Sequence, residues 1–127
     1  MTFVSHAQNF EDVILWRALK EVPKGFYIDV GAMSPSEDSV TKSFYDHGWS
    51  GVNIEPNPFF LNALLLERPR DINLPFALGV DERMATLNII ENTGLSTLDN
   101  SIASIHLKSD WSVERLEVQV TTLSQVW

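Results

Sequence analysis

Phe26-Tyr27-Ile28-Asp29-Val30-Gly31-Ala32, followed by Gly51-Val52-Asn53-Ile54-Glu55-Pro56, is the stretch that decides the fold. Each is a short run rich in β-branched and aromatic residues, and each stops at a residue that interrupts pairing, glycine in one and proline in the other. Apolar runs of this kind mark strands buried in a parallel sheet. Between them, SVTKSFYDHG (39–48) reads as a helix. Ser36, Asp38 or Ser39 can cap its start, Gly48 ends it, and Val40, Phe44 and Tyr45 would face the sheet.

Outward from this centre the pattern repeats. Upstream, QNFEDVILWRALK (8–20) has Val13, Trp16 and Leu19–Lys20 at helical spacing, with Glu11 and Asp12 in the first turn where the helix dipole favours anions. Downstream, PFFLNALLLERP (58–69) reads as a helix ended by Pro69, and INLPFAL (72–78) as a third strand, irregular because Pro75 offers no donor to a ladder. Strand–helix repetition predicts an α/β sheet of parallel strands joined by right-handed crossovers, with residues 26–30, 51–55 and 73–77 in the spatial order third, second, first. After Gly79 the rhythm changes. ATLNII (85–90) and LEVQVTTL (116–123) read as strands of an antiparallel, hairpin-like excursion around a loop NTGLSTLDNS, and residues 102–110 fit no one element.

Composition narrows the function classes. A chain of 127 residues holds one domain, and 44% hydrophobic with 20% charged residues is ordinary for a globular protein. The net charge of −8 is spread along the chain, with no basic stripe to track a phosphate backbone, so nucleic acid is excluded as a partner. No apolar run reaches the roughly 20 residues of a membrane span. The start, MTFVSHAQNFED, has no basic-then-apolar leader, which makes the cytoplasm the default location. Cysteine is absent, so disulfides and thiolate metal sites are excluded.

In an open α/β sheet, ligands bind beyond the carboxyl ends of the strands. Gly31 stands where a backbone must approach a ligand closely, and Glu55 ends the next strand, where a carboxylate can accept both hydroxyls of a ribose. A dinucleotide site needs G-x-G-x-x-G, yet Gly31 is followed by Ala32-Met33-Ser34-Pro35-Ser36, and Asp29 just upstream would repel a phosphate. No G-x-x-x-x-G-K-[ST] loop is present either. A ligand with a ribose, no phosphate and a cationic end fits better, and S-adenosylmethionine, with its sulfonium and ammonium, is such a ligand. On these residues a second reading also stands: Asp29 as a strand-end acid satisfied by nearby backbone N–H groups, and Glu55 as a solvated one.

The segments SHAQNFEDVILWRAL, GFYIDVGA, EDSVTKSFYDHGWSGVNIEPNP, RDINLPFALGVDE, GLSTLD and VQVTTLSQVW, in this order, resemble the FkbM methyltransferase family over nearly the whole chain. The resemblance implies a class I, Rossmann-like, doubly wound parallel sheet that binds S-adenosylmethionine and methylates an oxygen, commonly a hydroxyl of a sugar, glycan or related natural product. It places the cofactor loop at Asp29, Gly31 and Ala32, the ribose acid at Glu55, and the adenine border at Ala77, Leu78 and Gly79. The family's Q-N-x-E-D element falls on Gln8, Asn9, Glu11 and Asp12, where helix capping and pocket lining are both open. Met33 stands where relatives often have His or Asn, and the turn Asp81-Glu82-Arg83-Met84 lacks the usual glycine.

The family continues into a fourth strand of the form L-K-I-D-V-E-G, which residues 1–127 do not contain. They are therefore expected to be the N-terminal cofactor-binding part of one methyltransferase domain, incomplete in its sheet. Without that strand, residues 26–30 would present an apolar edge, so self-association is expected and methyl transfer by residues 1–127 alone is not. The alternative is a non-catalytic nucleoside-binding or assembly module. No catalytic base is identified: His6, His47 and His106 carry no partner motif, and His47, before Gly48, suits a helix cap. No metal site is expected. Trp16, Trp49, Trp111 and Trp127 read as core or interface residues.

Overall fold

A computed structural model describes residues 3–90, 95–97 and 113–127. The elements run α1 (Glu11–Leu19), β1 (Phe26–Val30), α2 (Lys42–Asp46), β2 (Ser50–Ile54), α3 (Pro58–Glu67), β3 (Ile72–Leu74), β4 (Phe76–Leu78), β5 (Arg83–Ile90), β6 (Leu95–Thr97), β7 (Val113–Thr121) and α4 (Leu123–Val126). The described residues form a mixed α/β structure with two sheets. The first is parallel, in the order β1-β2-β3, with Phe26 opposite Ser50, Val30 opposite Ile54, and Val52 opposite Ile72. The expected order third, second, first is the one observed.

The expected strand 73–77 is corrected in one respect. It divides at Pro75: β3 pairs with β2 in the first sheet, while β4 pairs in parallel with β7 in the second. Proline has no N–H for the ladder, so a chain crossing it can leave one sheet and join another without losing a bond. The second sheet has the order β4-β7-β5-β6, and β5 runs antiparallel to both β7 and β6. Antiparallel pairing of 85–90 with the 116–123 region is thus present. The loop NTGLSTLDNS is corrected too, since Leu95–Thr97 within it forms β6 against Asn88–Ile90. Three residues between Gly94 and Leu98 carry too little periodicity to be read as a strand. The ambiguous stretch 102–110 lies outside the described residues.

Each sheet has its own source of cohesion. In the second, Leu116, Val118 and Val120 of β7 share one face by the period-two rule and meet Ala85, Leu87 and Ile89 of β5 and Ala77 of β4. The opposite face is polar, with Thr86 donating to Glu117 at 2.8 Å and Arg115 to Asn88 at 3.2 Å. In the first sheet, α1 and α2 meet through rings: Trp16 stacks on Phe3 at 4.8 Å and meets Phe44 edge-on at 5.7 Å, and Phe44 meets Trp49 at 4.9 Å. Among the described residues β1 pairs with β2 alone, and its Phe26 is 62% exposed.

The start of α1 gives Asp12 of the Q-N-x-E-D element a structural part. The N-cap position, Phe10, is left-handed (φ 59°) and makes no side-chain cap. Asp12 instead is fully buried and gathers the N–H groups of His6, Ala7 and Val13 and the hydroxyl of Ser5 at 2.7–3.2 Å. It tethers the N-terminal segment to the helix. A carboxylate at a helix start is favoured by the dipole as well, so the charge is stabilised twice.

Candidate functional site

Beyond Val30 the chain turns across the end of β2. The N–H groups of Gly31 and Ala32 both donate to the Ile54 carbonyl, at 2.8 and 3.3 Å. Gly31 is left-handed (φ 67°), and a Cβ added to it would meet nothing within 4 Å. The position therefore needs glycine for its backbone angle while the space above it stays open. Gly31→Ala should cost about 1–2 kcal/mol from the left-handed conformation alone. Urea denaturation of the variant measures this, and an unchanged stability would show that the turn relaxes to another backbone shape.

Two carboxylates flank this turn. Glu55 is 3% exposed; its Oε1 accepts from the Met33 N–H at 2.9 Å and its Oε2 from the Asn57 N–H at 2.8 Å. It is therefore not the solvated acid of the second reading. It carries a structural role whatever else it binds, and each oxygen keeps one further lone pair. Burial pushes its carboxyl above the usual range, the two N–H bonds pull it down, and the charge of Asp29 pushes it up again. Asp29, near the end of β1, accepts from the Thr41 hydroxyl at 2.9 Å. Burial raises its carboxyl also, with Thr41 and Arg68 lowering it and Asp71 raising it. Two acids under mutual repulsion, at the ends of adjacent parallel strands, favour a cation and disfavour a phosphate.

Ala77, Leu78 and Gly79 lie on β4 and just past it, in the second sheet. Gly79 donates to the Thr121 carbonyl at 2.9 Å, and a Cβ on it would come within 2.7 Å of Val120, so this position needs glycine for closeness. β4 also makes contact with β2, which brings the expected adenine border toward the strand that Glu55 directly follows. A separate open cleft of about 530 Å³ is lined by Leu74, Phe76, Glu82, Gln119, Thr121, Gln125 and Val126. None of the seven sequence-identified cofactor residues lines it.

A buried network next to the site was not legible in the sequence. Arg68, at the end of α3, is 1% exposed. Its Nη1 donates to Thr41 Oγ1 at 2.9 Å and to the Tyr27 hydroxyl at 3.2 Å, and pairs with Asp71 Oδ2 at 3.5 Å. Its Nη2 donates to the Pro35 carbonyl at 2.8 Å and to Ser39 Oγ at 2.9 Å. Asp71 accepts in addition from the Tyr27 hydroxyl, from the Gly51 N–H at 3.0 Å and from Asn53 Nδ2 at 2.8 Å. Burial, then the Asp71 bond, push the Tyr27 phenol far up, so it stays a donor. A charged pair after a helix reads in sequence as solvated C-terminal punctuation, and only the packing shows it buried.

The start of α2 meets expectation in Ser39, one of the three named caps, and departs from it in the N-cap position. Thr41 occupies the N-cap and makes no side-chain cap, while Ser39 Oγ accepts from the Lys42 N–H at 3.2 Å. At the helix end, His47 Nδ1 lies 2.7 Å from the Ser43 carbonyl, a capping contact. The His6 backbone N–H donates to Asp12, and His106 and Trp111 lie outside the described residues. Trp49 is buried, Trp16 packs on Phe3, and Trp127 is exposed. Among the described residues, no group of three or more His, Cys, Asp or Glu could hold a metal ion, and no helix is long and apolar enough to cross a membrane.

Compared with known proteins, residues 29–127 match a family model described as the methyltransferase FkbM domain. No curated protein matches the chain, and no solved structure does. The matched span begins at Asp29 and includes every one of the residues assigned above to the cofactor.

Proposed function

The chain belongs to the FkbM methyltransferase family, and on that premise we propose that it binds S-adenosylmethionine at the ends of β1 and β2 and serves methylation of a hydroxyl oxygen on a sugar, glycan or related natural product. One observation carries the cofactor reading: two carboxylates, the buried Glu55 and the half-buried Asp29, bracket an open left-handed glycine. The two acids suit a cationic nucleoside, and the turn lacks the further glycines that a pyrophosphate loop needs.

Within this reading each residue has a physical task. Gly31 and Ala32 let the backbone pass close to the ligand, since their N–H groups are already satisfied by Ile54. Glu55 offers its remaining lone pairs to the ribose hydroxyls and holds the Met33 main chain in place. Asp29 supplies negative charge for the cationic end. Ala77, Leu78 and Gly79 give a narrow apolar border for the adenine. The cofactor itself supplies an electrophilic methyl group on a sulfonium, and an acceptor must lie in line with that bond. No described residue is assigned as the base.

Binding of S-adenosylhomocysteine, followed by calorimetry, tests the ribose role. Glu55→Gln keeps the shape and removes the charge, and should weaken binding by about 1–3 kcal/mol. A folded variant with unchanged affinity would reduce Glu55 to its structural bonds.

A further inference from the structure

The segment from Gly31 to Thr41 joins β1 to α2 and contains two left-handed residues that are not glycine, Met33 (φ 55°) and Asp38 (φ 54°). Such backbone persists only where surrounding contacts over-determine it. Its first end is held by main chain and by Glu55. Its far end is held by a side chain: the Arg68 fork takes the Pro35 carbonyl, Ser39 Oγ and Thr41 Oγ1 together. A planar guanidinium with five fixed donors can span such a set, and an ammonium cannot.

The bond to Thr41 has a directional consequence. A hydroxyl has one donor hydrogen and two acceptor lone pairs. Arg68 donates to Thr41 Oγ1 at 2.9 Å, so the Thr41 hydrogen is left to point at Asp29 Oδ2, also at 2.9 Å. Thr41 sits at the N-cap of α2, where its type would normally accept from the helix start, yet it makes no such bond and Ser39 takes the Lys42 N–H instead. Its hydroxyl is committed to the strand-end acid rather than to the helix.

We infer that Arg68 and Thr41 are positioning residues for the cofactor site: Arg68 orients the Thr41 hydroxyl and fixes the loop, and Thr41 orients Asp29 toward the ligand. The inference rests on the cofactor reading above. It adds to the site a residue on α3's end, remote in sequence from the glycine turn, which acts through a hydroxyl and never touches the ligand. Asp29 is faced by Thr41 and Arg68 on the stabilising side and by the carboxylates of Asp71 and Glu55 on the other. Removing the Thr41 hydroxyl deletes two bonds, the one donated to Asp29 and the one accepted from Arg68, and leaves those charges in place.

The test uses Thr41→Val and Thr41→Ser in the whole chain, with S-adenosylhomocysteine titrated from pH 5 to pH 8 and melting followed alongside. Thr41→Val should bind about tenfold more weakly, the scale of one hydrogen bond to a charged group. Its pH for half-maximal affinity should also move upward, because Asp29 loses a bond that lowers its carboxyl. Thr41→Ser, which restores the hydroxyl, should restore both. Should Thr41→Val not fold, Arg68→Lys decides, since it keeps the charge but loses the fork; the same weakening and upward shift are expected. A folded Thr41→Val with wild-type affinity and wild-type pH profile overturns the inference and leaves the cofactor reading standing. Absence of S-adenosylhomocysteine binding by the wild-type chain overturns that reading, and this inference with it.

Discussion

Asp29→Asn is expected to melt at a higher temperature than the wild-type chain at pH 7 and to bind S-adenosylhomocysteine about 10- to 100-fold more weakly, the range for a hydrogen bond to a charged group. The opposed signs follow from burial. The Asp29 carboxyl is raised in the folded chain, with burial as the main cause. The folded state thus holds the proton more tightly than the unfolded state does, and the stability this gives is present in full below the unfolded carboxylate pKa of about 4. It is lost as pH rises through the folded value, so the ionised acid burdens the ligand-free fold at neutral pH. Asparagine carries no charge and still accepts from Thr41. The melting difference should therefore shrink toward acid pH. A variant that melts lower than wild type at pH 7, or that binds with full affinity, would contradict the role given to Asp29.

Arg68→Met should cost about 3–5 kcal/mol, the largest stability loss expected of a single substitution here, since it strands a buried partner charge. Arg68 and Asp71 have side chains 1% and 0% exposed, and the guanidinium serves Tyr27, Pro35, Ser39 and Thr41 as well. Methionine fills the volume and returns none of these bonds. Adding Asp71→Asn should recover part of the loss, because it removes the stranded charge. Urea denaturation of both variants measures the two effects. A loss below about 1 kcal/mol for Arg68→Met would place the pair among the weakly contributing exposed ones, against its burial.

What could be read from the sequence follows the strength of local signals. FYIDV and GVNIEP are apolar, end abruptly and flank a helix pattern, and they form β1 and β2 in the expected order. Asp29, Gly31 and Glu55 stand out for the same reason, each breaking an apolar run at its carboxyl end. Pro75 announced an irregularity but not its form, because a missing donor says where a ladder stops and not which sheet the chain enters next. The three-residue β6 is too short to show a period. The Arg68–Asp71–Thr41 network was invisible for another reason. Its members are 27 to 30 positions apart at the extremes and each is of a type usually found in solvent or at a cap, so only tertiary packing brings them together. The burial of Asp12 likewise depends on the chain turning back at Phe10, whose left-handed angle no residue preference announces.

The central claim is that the ends of β1 and β2 form a site for a phosphate-free, cationic nucleoside. The most direct measurement is a calorimetric titration of the whole chain at pH 7 with S-adenosylhomocysteine and, separately, with NAD. Saturable binding of S-adenosylhomocysteine, about 10- to 100-fold weaker in Asp29→Asn, with no heat from NAD, is the predicted result. Binding of NAD without binding of S-adenosylhomocysteine would contradict it.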